Sequence, residues 1–585
     1  MAAVAALIFS VKERTIMNFL RSVISFSFTC VLISPTAAAS ERVGDFSLLD
    51  QFGFFHSMSW YSDVPAIALL VQANDSSTDP QMIPRFQQLK KRYATAGLEF
   101  FMINPSGGQD RDLVAAYIAN YDTDIPVLMD DSQLIAEALQ ITVSGEILLY
   151  DPRSFNIVYR GPAGATLESA INAILSGQPV SQTQTAVSGD PVRYPQRERN
   201  MSRVPDYASD IAPIIAEHCA ACHRESGIAP FALDSHTMVK GWSPMMREVI
   251  MTKRMPPGQI DPHIGSFSNS MVLPDSQAQL LLHWIAAGAP IAGDADPLAA
   301  LQWPETRWAF GEPDYIIKIP PQEVPATGVL DYYNVVVPID IQTDRWVRAS
   351  QYIPGDRTVL HHTLHSIIAP GAERGGSLLG GDDPDRPDIA PYIPGQAPRM
   401  EPPNTGGLLK AGTRIAMQMH FTTNGRATVD ESEIGVWFYP EGFVPEERMS
   451  GACACIFTPT WVAIPPHDPD FEMSASITIG DDAELFSLTP HMHFRGKRMR
   501  FYASYPDGSS EELLNIANYN YNWQLAYTLS EPKFVPAGTT ITAVGSFDNS
   551  SRNKANPDPD RSVPWGLQSW DEMFFGAADW KIVKR

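Results

Sequence analysis

Ala66-Ile-Ala-Leu-Leu-Val71 and Leu98-Glu-Phe-Phe-Met-Ile103 are short, almost unbroken apolar runs. Strands buried on both faces of a parallel sheet read this way, whereas a half-exposed strand alternates. Between them Ile83 to Tyr93 carries apolar residues at helical spacing, and Ile147-Leu-Leu-Tyr150 follows a turn at Gly145. The order strand, helix, strand, helix, strand over residues 43–178 predicts an α/β domain.

The chain is 585 residues long, and at about 150 residues per domain it should hold about four domains. Lys plus Arg number 43 against 66 Asp plus Glu, a net charge of −23. So acidic a chain repels phosphate backbones, which argues against nucleic acid and anionic membranes as partners. With 44% hydrophobic and 19% charged residues it is a folded, globular composition. The 39 Gly and 49 Pro predict many turns and β-rich domains. Five cysteines cannot staple such a length, so their spacing carries the meaning.

Residues 1–39 read as a signal peptide with its start at Met17. Met17-Asn-Phe-Leu-Arg21 is a short basic opening, Val23 to Ile33 is an apolar run too short to span a bilayer, and Pro35-Thr-Ala37-Ala-Ala39-Ser40 offers cleavage after Ala39. An uncleaved anchor is the alternative. No later stretch has 18 uninterrupted apolar residues, so the expectation is a periplasmic or secreted protein without stable membrane insertion.

The α/β order of 43–178, with Asp45-Phe-Ser-Leu-Leu-Asp-Gln-Phe-Gly53 at its start and Tyr159-Arg-Gly161 near its end, resembles the thioredoxin and peroxiredoxin-like fold. Thiol chemistry in that fold needs a low-pKa cysteine at a helix N-terminus after the first core strand. Here that stretch is Gln72-Ala-Asn-Asp-Ser-Ser-Thr-Asp-Pro80, and Val143-Ser144-Gly145 stands where the family usually carries a proline. A docking or structural role is therefore expected. Residues 179–205 are polar and aperiodic and read as a linker.

Cys219-Ala-Ala-Cys222-His223 opens the next segment, 206–295. Two thiols three positions apart, with an imidazole next, suit covalent haem attachment with iron ligation from one face. Asp210 to His218 before it and Gln277 to Gly288 after it read as helices, so the segment resembles a small, all-α class I-type cytochrome c holding one covalent haem c. Met255, in Lys253-Arg-Met-Pro-Pro-Gly258, is the preferred sixth ligand, since thioether favours ferrous iron. Met245, Met246, Met251 and His236 compete with it; His218, His263 and His283 read as surface or packing residues.

From Glu312 onward the pattern changes to short β-type runs, among them Tyr333-Asn-Val-Val-Val337, Arg414-Ile-Ala-Met417 and Thr540-Ile-Thr-Ala-Val544. That length fits two β-sandwich domains, 312–445 and 446–585. Their histidines fall in sets: His361-His362, Gln418-Met-His420 and His491-Met-His493. On a strand, positions i and i+2 share a face, so His491 and His493 can reach one metal. Three imidazoles from His361, His362 and His420 suit copper or zinc, and an added thioether favours copper.

The series His361-His362, Gln418-Met-His420, His491-Met-His493 and Asp571-Glu-Met573 resembles the copper type II monooxygenases, the family of peptidylglycine α-hydroxylating and dopamine β-monooxygenases, over nearly all of 312–585. The resemblance implies two jelly-roll-like β domains facing across a solvent-filled cleft, each with a copper ion. His361, His362 and His420 would hold the electron-transfer copper; His491, His493 and Met573 would hold the catalytic, dioxygen-binding one. It further implies hydroxylation of a C–H bond in a small organic substrate with O2, and an external electron donor, an ascorbate-like reductant or a redox protein. The fused haem would feed the three-histidine copper. The peptide-amidating members use an Arg two residues before the HxH and an Asn and a Tyr after the Met. Here those places hold Thr489, Phe575 and Ala577, which argues against a peptide carboxylate, and Phe574 and Phe575 suggest a more apolar substrate unless both are core. His365 is expected beside the first set without joining it.

Cys453-Ala-Cys455 leaves open a disulfide, a copper-acquisition pair or free thiols. The Asn/Asp/Pro run from Phe547 to Asp560 reads as turn chemistry, with a cation such as calcium the rival. For the whole chain the rivals to a monooxygenase are a non-catalytic electron-transfer or copper-carrying haem protein, and a docking protein braced by its metals.

Overall fold

In the computed structural model β3 (Ile67–Val71) lies at the heart of a seven-stranded sheet, between β4 (Glu99–Asn104) and β6 (Ile147–Asp151). The remaining strands are β1 (Ser47–Asp50), β2 (Phe55–Ser57), β5 (Val127–Met129) and β7 (Asn156–Gly161), in the order β2-β1-β5-β4-β3-β6-β7. Strands β3, β4 and β5 run parallel, and β6 and β7 return antiparallel. This is the thioredoxin-like α/β arrangement. The structure describes residues 42–583 except 75, 226, 259, 304–306, 376–386, 388, 390 and 396, so the expected signal peptide at 1–39 lies outside the described residues.

The unbroken apolar runs follow from burial on both faces. Ala68, Leu70, Phe100 and Met102 face helices α1 (Asp79–Tyr93), α2 (Arg111–Ala119) and α4 (Ala165–Leu175). Their neighbours Ile67, Leu69, Val71, Phe101 and Ile103 point the other way, as strand alternation requires. The second face is covered by α3 (Leu134–Ala138) together with Met251, Ala278 and Leu282 of the following segment. Helix α1 begins at Asp79, ahead of the apolar periodicity at Ile83, because its first turn opens on polar Asp79 with Pro80 second.

The stretch 179–205 is not the free tether its composition suggests. Arg160 bridges Gln184, Val143 bridges Pro191, and residues Pro195–Ser202 form α5. Gly189 crosses Ser144 so closely that a Cβ would lie 2.0 Å from the Ser144 carbonyl oxygen. Asp190 then receives hydrogen bonds from Ser76 Oγ (2.9 Å), Ser77 N (2.6 Å) and Ser77 Oγ (3.0 Å). A serine and aspartate network thus occupies the helix start where a thiol pair would stand.

Segment 206–295 supplies α6 (Ala212–Ile215), flanked by π-helical turns Tyr207–Ile211 and Ala216–Ala220, then α7 (His236–Met251) and α8 (Asp275–Ala286). Tyr207, Ile211, Ile215, Val239, Leu281 and Trp284 form a small core of their own. A separate all-α cytochrome c domain is not shown: α7 and α8 complete the neighbouring sheet's cover, and Ile260 and Phe267 join the core of the last β domain. Asp261 fastens this junction, accepting from Arg111 Nη1 (2.5 Å) and Asn515 Nδ2 (3.0 Å).

The first β domain contains β8 (Tyr315–Lys318), β9 (Gln322–Val324), β10 (Tyr333–Pro338), β11 (Arg345–Ile353), β12 (Leu360–Ile368), β13 (Arg399–Met400), β14 (Gly407–Leu409), β15 (Arg414–Phe421), β16 (Thr428–Asp430) and β17 (Glu433–Phe438). Its main sheets, β10-β15-β12 and β13-β11-β17-β8, share the core of Val347, Ile415, Met417, Met419, Ile434 and Val436. The second contains β18 (Met449–Ile456), β19 (Phe471–Thr478), β20 (Ala483–His491), β21 (Gly496–Ser504), β22 (Ser510–Ile516), β23 (Tyr527–Val535), β24 (Thr540–Phe547) and β25 (Phe574–Ile582). Sheets β18-β25-β20-β23 and β19-β24-β21-β22 sandwich Leu485, Leu488, Phe501, Ile541 and Phe574. Both are all-antiparallel sandwich sheets. No helix among the described residues is long and apolar enough to cross a membrane.

Candidate metal and cofactor sites

His361 and His362 are adjacent, so a regular strand would send them to opposite faces. The pairing of β12 with β15 steps from Leu360↔Phe421 to His362↔His420, which leaves His361 as the extra residue of a β-bulge. A bulge re-aims a side chain, and here it turns His361 to the side of its neighbour. The ligand nitrogens of His361, His362 and His420 all lie within 4.8 Å of one another. The Nδ1 atoms of His361 and His362 are 2.8 Å apart, while His361 Nε2 is buried without a hydrogen-bond partner. Burial pushes His361 and His420 down to about 4 and His362 well below its ordinary value. All three are therefore neutral near pH 7, the state in which imidazole ligates a metal. Among the described residues this is the one group of three or more His, Cys, Asp or Glu that could hold an ion.

His491 ends β20 and His493 follows it, and their rings are 5.2 Å apart. Each spends Nδ1 on the protein: His491 on Gln524 Oε1 (2.5 Å), His493 on the Asp571 carbonyl (3.2 Å). With Nδ1 donating, Nε2 of each ring keeps its lone pair. Desolvation lowers His491 to about 4 and His493 well below its ordinary value. Met573 is buried at 5% exposure, between Glu572, which accepts the His493 N–H, and Phe574 at the start of β25. Strand alternation separates the two phenylalanines: Phe574 is core against Gly545, whereas Phe575 stacks on His491 with ring centroids 5.4 Å apart. Phe457 lies beyond it at 5.2 Å, an apolar wall on one side of the HxH pair. Thr489 and Ala577 face each other across β20 and β25.

The two histidine groups are not held apart by a solvent-filled cleft. Tyr521, 8% exposed, stacks on His361 (4.7 Å, 18°), places its hydroxyl 3.3 Å from His420 Nδ1 and 2.6 Å from Ser569 Oγ, and lies 6.0 Å from His493. Tyr521, Gln524 and Glu572 were not singled out by the sequence. The one available signal was the density of aromatic residues in Tyr519-Asn-Tyr-Asn-Trp-Gln524, unusual for a polar loop.

Cys219, Cys222 and His223 occupy one helical turn, with the Cys222 and His223 N–H groups donating to the Cys219 carbonyl. Both thiols are free, and burial raises them, Cys219 to about 12, so neither is a thiolate. They edge an apolar cavity of about 290 Å3. His223 donates Nδ1–H to the Phe231 carbonyl (3.1 Å), which leaves Nε2 as the ligating atom. Met245, Met246 and Met255 line this cavity; Met251 and His236 do not. Met251 is packed beneath the α/β sheet, and His236 Nε2 is held by the Ala289 carbonyl (2.9 Å). The thiols, the imidazole, the thioethers and the apolar walls fit a haem.

His218, expected as a surface or packing residue, also lines the cavity, with its Nε2 buried and without a hydrogen-bond partner. His283 is a packing residue between Asn200 and Glu137, and His263 pairs with Asp131 near the surface. His365 spends its nitrogens on Thr363 and the Ile389 carbonyl, which leaves none for a metal. Cys453 and Cys455 are joined as a disulfide. In the 547–560 run, Asn549 accepts from Arg495 Nε and donates to the carbonyls of Pro465 and Arg561, which ties the run to distant chain, while Asp548 accepts the Ser550 N–H as a turn residue does.

No protein-family model matches the chain, and no curated protein matches it. Solved structures match about a quarter of its length. A hypothetical protein from Sinorhizobium meliloti 1021 is 26% identical, covering 26% of this chain and 93% of that one, with a TM-score of 0.24. A putative thiol:disulfide interchange protein from Chlorobium tepidum is 18% identical over 23% of this chain and 96% of its own, with a TM-score of 0.21. A thioredoxin-like protein from Aeropyrum pernix is 20% identical over 22% and 89%, with a TM-score of 0.20. Each of these matches covers about a quarter of the chain; the thioredoxin-like arrangement itself is read from the chain's own sheet order.

Proposed function

We propose that the protein is an exported, copper- and haem-dependent monooxygenase that hydroxylates a C–H bond of an apolar organic substrate. The reading rests on the series of histidines and Met573 and on the Cys219, Cys222 and His223 set at the edge of an apolar cavity. The observation that carries it is the gathering of five desolvated, uncharged imidazoles in two neighbouring groups, with His361, His420 and His493 against Tyr521. Five such groups in a protein interior, with no carboxylate partner, are a donor set for soft or borderline metals. The chemistry a copper pair would supply is insertion of one oxygen atom into the substrate while the other leaves as water, with two electrons and two protons consumed.

The chain's own residues would do the rest. Gln524 and the Asp571 carbonyl orient His491 and His493, and Glu572 holds the His493 backbone next to Met573. The Phe575 and Phe457 wall would select an apolar substrate and exclude water. Met255 supplies a thioether to the haem cavity. Export to an oxidising compartment is supported by the Cys453–Cys455 disulfide.

A second reading, a non-catalytic electron-transfer or copper-carrying haem protein, is favoured by the close approach of the two histidine groups through Tyr521. The deciding measurement is copper per haem in protein matured with haem and loaded with copper, repeated on Met573→Ala and His420→Ala. Two coppers per haem, each substitution weakening a different one, together with substrate-accelerated O2 uptake, support the monooxygenase. Two coppers without such uptake favour the carrier. One copper or none removes the two-site reading.

A further inference from the structure

Asn520-Tyr-Asn-Trp-Gln524, between β22 and β23, touches all three candidate sites. Trp523 lines the cavity of Cys219, Cys222 and His223, and of the described residues lining it Trp523 alone comes from a β domain. Tyr521 stacks on His361 and reaches His420 with its hydroxyl. Asn522 approaches His361, and Gln524 Oε1 accepts the Nδ1–H hydrogen bond of His491.

The segment is held tightly. Trp523 N–H donates to the Asn520 carbonyl (2.8 Å) and Gln524 Nε2 to the Tyr521 carbonyl (2.8 Å). The Trp523 ring lies on Gly395 of the first β domain, where a Cβ would come within 2.6 Å of it. Two residues span at most about 7 Å of chain, so the rings of Trp523 and Tyr521 belong to one short, packed unit.

We propose that this strap is the electron path between the haem cavity and the three-histidine site, with Trp523 at the cavity wall and Tyr521 on the His361 ring. The proposal rests on the haem and copper reading above. In the step, a ferrous haem iron gives one electron and becomes ferric, and a cupric ion on His361, His362 and His420 accepts it and becomes cuprous. No bond forms or breaks, and the two aromatic rings end unchanged. Electronic coupling falls steeply across empty space and slowly through bonded, packed groups. Trp523 supplies the bonded route from the cavity into the β domains.

The test uses the full chain matured with haem and loaded with copper. Pulse radiolysis without oxygen delivers single electrons to the oxidised protein, and the haem absorption band follows their arrival and departure. The expected result is a first-order decay independent of protein concentration, slowed about tenfold or more in Trp523→Leu and largely restored in Trp523→Phe. Haem and copper reduction potentials and the cupric resonance spectrum should be the same in all three. Tyr521→Leu leaves the haem cavity untouched and should slow the decay likewise in protein loaded to full copper occupancy, which the cupric resonance spectrum verifies because the lost His420 contact should weaken copper binding. An unchanged rate in both leucine variants overturns the strap and leaves the haem–copper reading standing. No intramolecular decay in unsubstituted protein holding both cofactors overturns both.

Discussion

Glu572 accepts the backbone N–H of His493 at 2.8 Å while its other oxygen accepts that of Arg495 at 2.6 Å. One fully buried carboxyl thus joins the HxH turn to the chain position before Met573. In Glu572→Ala two buried N–H groups lose their acceptor, at about 1–3 kcal/mol each. Urea unfolding should show a loss of that size. In copper-loaded protein the proposed site of His491, His493 and Met573 should lose its ion while the three-histidine site keeps its own, which copper resonance spectra distinguish. Full retention at both sites would refute the coupling.

Gln524 fixes the tautomer of His491. Partners of this kind are worth about 10–100-fold in metal affinity. Gln524→Ala should weaken one of two copper sites by that factor in a competitive chelator titration and leave the other unchanged. Equal affinities in variant and parent would deny Gln524 an orienting role.

Asp130 should make stability depend on pH. Burial pushes its carboxyl up to about 7, against the Ala136 and Ile135 N–H groups and the Ser132 hydroxyl, which pull it down. The unfolded chain titrates near 3.8, so between the two values only the native state holds the proton. Its contribution is whole below about pH 4, declines as pH rises, and is gone above about pH 7. Asp130→Asn stays neutral, so its melting temperature relative to the parent should climb across that window. Parallel profiles would contradict the assignment.

Gly189 has no room for a side chain against the Ser144 carbonyl. Gly189→Ala should lift the 179–194 stretch from the α/β domain at a cost of about 1–3 kcal/mol. The readout is limited proteolysis, with new cleavage confined to this stretch. Resistance equal to the parent's would mean the crossing relaxes freely.

Some of this was legible in the residues. Strands β3, β4 and β6 declared themselves because a strand covered on both faces must be apolar at every position. The CxxCH turn and the HxH pair were legible because their geometry is local: one helical turn, or one strand repeat, fixes which side chains share a side. Boundaries were weaker. The first turn of α1 is polar and carries no periodicity, and 179–205 looks like a linker because hydrogen-bonded polar chain has the composition of solvated chain.

Which donors the protein owns, and the local spacing of each pair, follow from the order of its residues alone. That adjacent His361 and His362 turn to one side depends on a bulge against β15, which exists only in the folded chain. The same long-range packing sets helices α7 and α8 over the sheet of another domain, and one loop against the cavity of Cys219, Cys222 and His223 and against both histidine groups. The physical reason is range. Propensity, periodicity and chelate spacing act over a few residues, whereas the Trp523, Tyr521 and Gln524 contacts are made between elements far apart in the chain, where no local pattern records them.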